Sequence, residues 1–136
     1  MAQIPLREYD VKKMFAKYTR TTYSWIQIRD ISHLEKLNPQ KKYVIKPDML
    51  FGKRRKRGML WINLDKEEVY TWFQDWHKKE VDVDGVIGIL DVFLAEEVVD
   101  ITKEYYLAFE QTREGDTVYF SEDGWVDIEE NWKTTK

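Results

Sequence analysis

The chain contains no cysteine, which removes disulfides, thiolate metal ligands and cysteine nucleophiles together. Histidine is nearly as scarce: His33 and His77 stand too far apart in the chain to read as a zinc-binding pair. With three prolines and six glycines there is no Pro/Gly/Ser linker, no low-complexity tract and no internal repeat. No apolar run approaches the roughly 20 residues of a membrane-spanning helix. The opening MAQIPLREYD also lacks the apolar core of a secretory signal. These absences lead to the expectation of a cytoplasmic protein without a membrane partner. Nor is there a large excess of one charge. The net charge is −3, whereas a general nucleic-acid binder is more often basic throughout or along one face. The Walker spacing and the GxGxxG turn are missing too, which sets aside two common nucleotide folds.

What is present suits a folded domain. In 136 residues, 43% are hydrophobic and 15% aromatic, enough for one ordinary core. REYDVKKMFAKY sets Tyr9, Val11, Met14, Phe15 and Tyr18 at helical spacing and predicts an amphipathic first helix. YSWIQI reads as a strand. SHLEKL reads as a short helix, with Ser32 as N-cap and Glu35 closing a capping box. KYVIKPD is a second strand stopped by Pro47, and GMLWINL restarts extended structure after Gly58. DKEEVYTWFQDWHKK is the strongest helix, with Asp65 as N-cap, acids in its first turn and lysines at its end. VIGILDVFLAEEVV is continuously apolar and predicts one buried strand. EYYLAFEQT and DTVYFSE flank REGD as a hairpin, and GWVDI predicts a short last strand. The order βαβ–βαβ–ββ predicts a mixed α/β fold, an α+β mixed sheet with helices against it.

Lys53, Arg54, Arg55, Lys56 and Arg57 stack positive charge between the second strand and GMLWINL. Lys46 at the strand end offers a point charge with three donors, and Arg54 and Arg55 can fork onto phosphate oxygens. Gly52 and Gly58 bracket the loop. Three readings stand at this point: a solvated charged turn, a phosphate clamp, and a nucleic-acid contact supported by aromatic stacking. Composition alone favours the solvated turn and disfavours nucleic acid. The residues by themselves lead no further than a phosphate-binding α/β domain.

Four stretches, IPLREYDVKKMF, YVIKPDMLFGKR…G…NL, FLAEEVV and TREGDTVYFSEDGWVDIEE, follow in order along nearly the whole chain. Together they resemble the amino-terminal ATP-grasp region of ATP-citrate lyases. In particular they resemble the smaller subunit found in bacteria that fix carbon by the reductive citric acid cycle. Succinyl-CoA synthetase β subunits resemble it more distantly. The resemblance implies that Lys46 reaches the α and β phosphates of ATP, and that Lys53, Arg54 and Arg55 belong to a basic loop covering the triphosphate. It implies that Glu96, Glu97 and Val99 lie on the strand whose backbone reads the adenine edge, with Glu97 where a proline is common. It implies that Glu104 holds the ribose hydroxyls, a task a carboxylate suits because it accepts two hydroxyl protons.

In that family ATP phosphorylates a histidine, the phosphoryl group passes to citrate to give citryl phosphate, and CoA displaces the phosphate to give citryl-CoA or, after cleavage, acetyl-CoA and oxaloacetate. Neither His33 nor His77 lies in a stretch matching that histidine, so no catalytic residue is assigned to this chain. Magnesium is implied as a cofactor with ligands outside the chain, and a companion subunit or region is implied as partner. The alternative is a non-catalytic interaction module that associates with a full-length relative. The resemblance divides the chain into a lead helix (1–20), a nucleotide-lid subdomain (21–95) and the start of a second subdomain (96–136), a truncated ATP-grasp unit. Arg55, Trp61 and Trp125 stand where the family often carries glycine.

Overall fold

Along Tyr43–Pro47 the residues alternate between buried and half-buried, so this strand carries two covered faces of different character. A computed structural model of the chain describes residues 5–51, 54, 57–122 and 124. They fall into two compact units, residues 1–98 and 99–136.

The first unit contains α1 (Glu8–Thr19), β1 (Trp25–Ile28), a 3-10 helix (Ile31–Lys36), β2 (Tyr43–Pro47), β3 (Trp61–Leu64), α2 (Lys66–Trp76), β4 (Glu80–Val83), β5 (Val86–Ile89) and β6 (Phe93–Glu97). Its sheet has the order β1-β6-β2-β3, and all its pairs are antiparallel. β6 therefore inserts between β1 and β2, which run in the same direction without touching. Within β3, Ile62 and Asn63 together oppose Val44, a bulge marked by the register shift and by Asn63 at φ 68°. Asparagine tolerates that left-handed conformation better than most residues.

Register assigns the two faces. Ile28, Tyr43, Ile45, Phe93 and Ala95 point to one side, where they meet Leu34, Val69, Trp72 and Phe73 in the main core. Gln27, Val44, Lys46, Leu94 and Glu96 point to the other. α2 packs on the core side through Val69, Trp72 and Phe73, and a capping box between Asp65 and Glu68 closes its first turn, as Asp65 predicts. The lysines expected at its end fall beyond it, because the helix stops at Trp76.

Two readings are corrected. The apolar run VIGILDVFLAEEVV is not one buried strand. β5 turns back on β4 through Asp84 and Gly85, both at positive φ, the geometry an Asp-Gly hairpin turn requires. Val86, Ile87 and Ile89 are consequently exposed, and only β6 is buried. SHLEKL does form a short helix, of the 3-10 type, but its cap is Asp30 and not Ser32, the Asp30 side chain accepting from the Ser32 amide.

The second unit holds the hairpin β7 (Tyr106–Gln111) and β8 (Asp116–Ser121), as the pattern predicts. The strand expected at GWVDI lies outside the described residues.

Candidate functional site

α1 crosses the Lys46 face of the sheet in an unusual orientation. Its apolar stripe, Val11, Met14, Phe15 and Tyr18, is exposed, and none of its residues is buried. The half-buried side carries Glu8 and Lys12, a helical turn apart, together with Tyr9 and Ala16. The physical cause is what lies beneath: Lys46 and Glu96 are charged groups on a sheet face, and a charged helix face satisfies them where an apolar one would strand them.

The Glu8 carboxylate sits at the centre of the cluster. Its Oε1 lies 2.6 Å from the Lys46 ammonium and 3.0 Å from that of Lys12. Its Oε2 lies 2.5 Å from the Arg54 guanidinium. Lys46 also meets Glu96 at 2.6 Å, and Lys12 bonds the same carboxylate. Arg54 donates in addition to the Pro47 carbonyl at 2.6 Å, which pins the basic loop to the end of β2. Beside this cluster the carboxylate of the fully buried Asp48 accepts from the Tyr9 amide at the start of α1 and from Gln27, at 3.3 and 2.7 Å. The Arg7 guanidinium bonds the Asp48 carbonyl.

Burial by itself would raise the Glu8 pKa. Lys46 first, then Lys12 and Arg54, outweigh it and hold the carboxyl at about 2. At Lys46 the balance runs the other way: burial outweighs the pull of Glu8 and draws the ammonium below the ordinary lysine range, with Lys12 and Arg54 adding to the effect. The two shifts describe one arrangement, a surplus of positive charge in a partly desolvated place. Three cations face two carboxylates, and the bridging anion is strongly held.

The predicted site residues separate as follows. Lys46, Arg54 and Glu96 are brought together. Glu96 contributes its side chain beside Lys46. Glu97, at the end of β6, points the other way and bonds Ser24 at 2.5 Å and Lys41 at 3.2 Å. Lys53 and Arg55 lie outside the described residues. Val99 and Glu104 belong to the second unit, Val99 exposed and Glu104 half-buried just before β7. Gly124 presses on Glu104 so closely that a Cβ there would come within 2.3 Å of the Glu104 Cβ. Arg57, the last charge of the basic run, pairs with Asp84 at 2.5 Å.

Trp61 does not reach the Lys46 face. It packs on the core side against Trp72 and Trp76, ring centroids 4.7 and 4.5 Å away. Trp125 lies outside the described residues. Glu8, Lys12 and Asp48 are the participants that motif reading passed over. The signal for the first two was their four-residue spacing, and for Asp48 its place in the KPD triplet. Among the described residues no three His, Asp or Glu side chains converge as a metal site, and no helix is long and apolar enough to cross a membrane.

Residues 5–135 match the ATP-grasp domain family. The chain belongs to the ATP-grasp family. Relatives of this ATP-grasp chain include the ATP-citrate synthase alpha chain protein 2 of Arabidopsis thaliana, 37% identical over 100% of this chain and 35% of the relative. The subunit alpha chain protein 1 of Oryza sativa subsp. japonica is 34% identical, over 100% and 36%. Among solved structures, ATP citrate lyase from Methanothrix soehngenii in complex with citrate and coenzyme A superposes with a TM-score of 0.82. It is 34% identical and covers 92% of this chain and 33% of its own. A mutant Methanosaeta concilii ATP citrate lyase in complex with (3S)-citryl-CoA gives 0.76 at 29% identity, over 95% and 36%. The ATP-grasp chain thus spans about a third of the length of these relatives, and the resemblance to ATP-citrate lyase holds from end to end.

Proposed function

We propose that the chain is the ATP-binding part of an ATP-citrate lyase type of acid–CoA ligase, with Lys46 and Arg54 holding the phosphates. The observation that carries this reading is the Glu8 carboxylate bridging Lys46, Lys12 and Arg54 at 2.5–3.0 Å. That donor set, an ammonium pair and a guanidinium converging on one anion, is the chemistry a phosphate group requires. The family match supplies the nucleotide. In this reading Lys53 and Arg55 extend the cover over the triphosphate, Glu96, Glu97 and Val99 line the adenine, and Glu104 takes the ribose. Magnesium, when bound with ATP, would neutralise phosphate charge through ligands from beyond this chain. The residues here bind and orient the nucleotide, and the phosphohistidine and citrate steps fall to a companion region.

Titration calorimetry of Mg-ATP into the chain tests the reading. The wild type is expected to show saturable binding, and Lys46→Met to weaken it at least tenfold, since one hydrogen bond to a charged group contributes roughly 1.5–3 kcal/mol. A folded wild type with no binding heat overturns it.

The second reading, an interaction module for a longer relative, draws on the exposed apolar stripe of α1 and on Val86 and Ile87 of β5, 69% and 70% exposed. Mixing the chain with such a relative and finding two separate species by size-exclusion chromatography would remove it.

A further inference from the structure

α1 is held over Lys46 mainly by its charges, its non-polar side chains being at most half-buried, as Tyr9 and Ala16 are. Among the described residues, the hydrogen bonds and ion pairs that join it to the rest of the first unit are those of Arg7, at its N-cap, and of Glu8, Tyr9 and Lys12 in its first turns. The stripe that would ordinarily anchor an amphipathic helix faces away. At the point of attachment, the two oxygens of Glu8 are shared among three cations in the way two oxygens of a phosphate would be. An open groove of about 500 Å³ runs alongside, between Leu6 before α1 and Val11 on it and Met49 and Phe51 after β2, with Glu8 and Arg54 in its lining. An incoming anion can therefore approach Arg54 from solvent without passing through the core.

We infer that Glu8 is a built-in anion plug, a phosphate surrogate that α1 seats on Lys46 and Arg54, and that a polyphosphate must displace it to bind. The inference rests on the phosphate-binding reading of Lys46 and adds an occupant that competes for the same donors. Placing a triphosphate beside Lys46 and Arg54 while Glu8 remains puts like charges within a few ångströms, in a partly desolvated place where their repulsion is poorly screened. Removing Glu8 leaves three cations and one carboxylate, Glu96, a stronger receptor for a polyanion. Because α1 has no fully buried apolar residue, breaking the Glu8 contacts removes its links to Lys46 and Arg54 and leaves the contacts of Arg7, Tyr9 and Lys12 to hold it. Anion binding and α1 detachment are thereby linked, and each must favour the other.

The test measures two things on the whole chain: affinity for ATP and for inorganic tripolyphosphate by calorimetry, and amide hydrogen exchange of α1 with and without each anion. Three proteins are compared: wild type, Glu8→Gln and Glu96→Gln. Expected for the plug are an affinity about tenfold tighter in Glu8→Gln, faster exchange in α1 of that variant without any ligand, and acceleration of α1 exchange in the wild type as tripolyphosphate saturates. Tripolyphosphate that frees α1 while ATP does not bind would sink the nucleotide reading and leave the plug standing. ATP that binds wild type and Glu8→Gln equally, with α1 exchange unmoved, overturns the plug and leaves the nucleotide reading intact. Equal tightening in Glu8→Gln and Glu96→Gln without change in α1 also overturns it, since only bulk charge would then be at work. Weaker binding in Glu8→Gln overturns it in the opposite sense, showing that Glu8 orients Lys46. If neither anion binds any of the three, both readings fall.

Discussion

Glu8 makes one residue answerable for both stability and ligand access, and its titration gives a way to see it. Its carboxyl is held at about 2 against an ordinary 4.5. The folded state then binds fewer protons than the unfolded state between those values, and stability rises with pH across that window. The contribution is complete above pH 4.5 and disappears as the pH falls to about 2. A shift of this size would be worth roughly 3 kcal/mol at about 1.4 kcal/mol per unit. Burial of the Lys46 ammonium opposes part of it, so about 1–2 kcal/mol is the expected loss on Glu8→Gln at pH 7, between the values for exposed and buried pairs. Urea denaturation at a series of pH values should show the wild type and Glu8→Gln converging as the pH falls from 4.5 towards 2. A gap that stays constant over that range would show that Glu8 acts by packing and not by charge.

At the scale of the element, the sheet separates two tasks between its faces, and Trp61 tests the separation. Its ring packs with Trp72 and Trp76 on the core side, while Lys46 points to the other side. Trp61→Gly removes a large apolar contact and adds backbone freedom to β3, and is expected to cost about 2–4 kcal/mol by urea denaturation. Nucleotide affinity, corrected for the unfolded fraction, should stay the same. A tenfold change in affinity with stability preserved would place the indole on the ligand side after all. The same elements show what the sequence could reveal. α2 was legible because Asp65, its acidic first turn and Val69, Trp72 and Phe73 are all local signals within one helix. The β4–β5 hairpin was also written locally, in Asp84-Gly85, but the apolar run that follows masked it and only Phe93–Glu97 proved buried. The facing of α1 was not local at all. Tyr9, Val11, Met14, Phe15 and Tyr18 mark a helix correctly, yet which side turns inward is decided by Lys46 and Glu96, dozens of residues away. The position of β6 between β1 and β2 is likewise a long-range choice that no motif announces. The family resemblance picked out Lys46 and Arg54, but not the carboxylate between them.

Across the whole molecule, stability is unevenly distributed, and this sets what the chain can do by itself. The first unit has a contiguous core in which Ile28, Ile45, Leu90, Phe93 and Ala95 are fully buried. Among the described residues of the second unit no apolar side chain is buried. Its β7–β8 ladder is a two-stranded hairpin, a structure that is marginal in water without a third strand or a packed face. Leu107 and Phe109 on β7 lie opposite Phe120 and Val118 on β8 and form one apolar face of that ladder. Local opening free energies should therefore differ sharply between the units. Hydrogen exchange read by mass spectrometry is expected to find the amides of β2 and β6 exchanging only through global unfolding. Those of β7 and β8 should exchange at least a hundredfold faster, a gap of about 3 kcal/mol. In the proposed reading Glu104, just before β7 in the less stable unit, takes the ribose, and that reading predicts that saturating ATP slows exchange in β7 and β8 as well as in β2. Protection of β7 and β8 equal to that of β6 without any ligand would overturn the expected difference in stability between the units, and with it the proposal that nucleotide orders the hairpin.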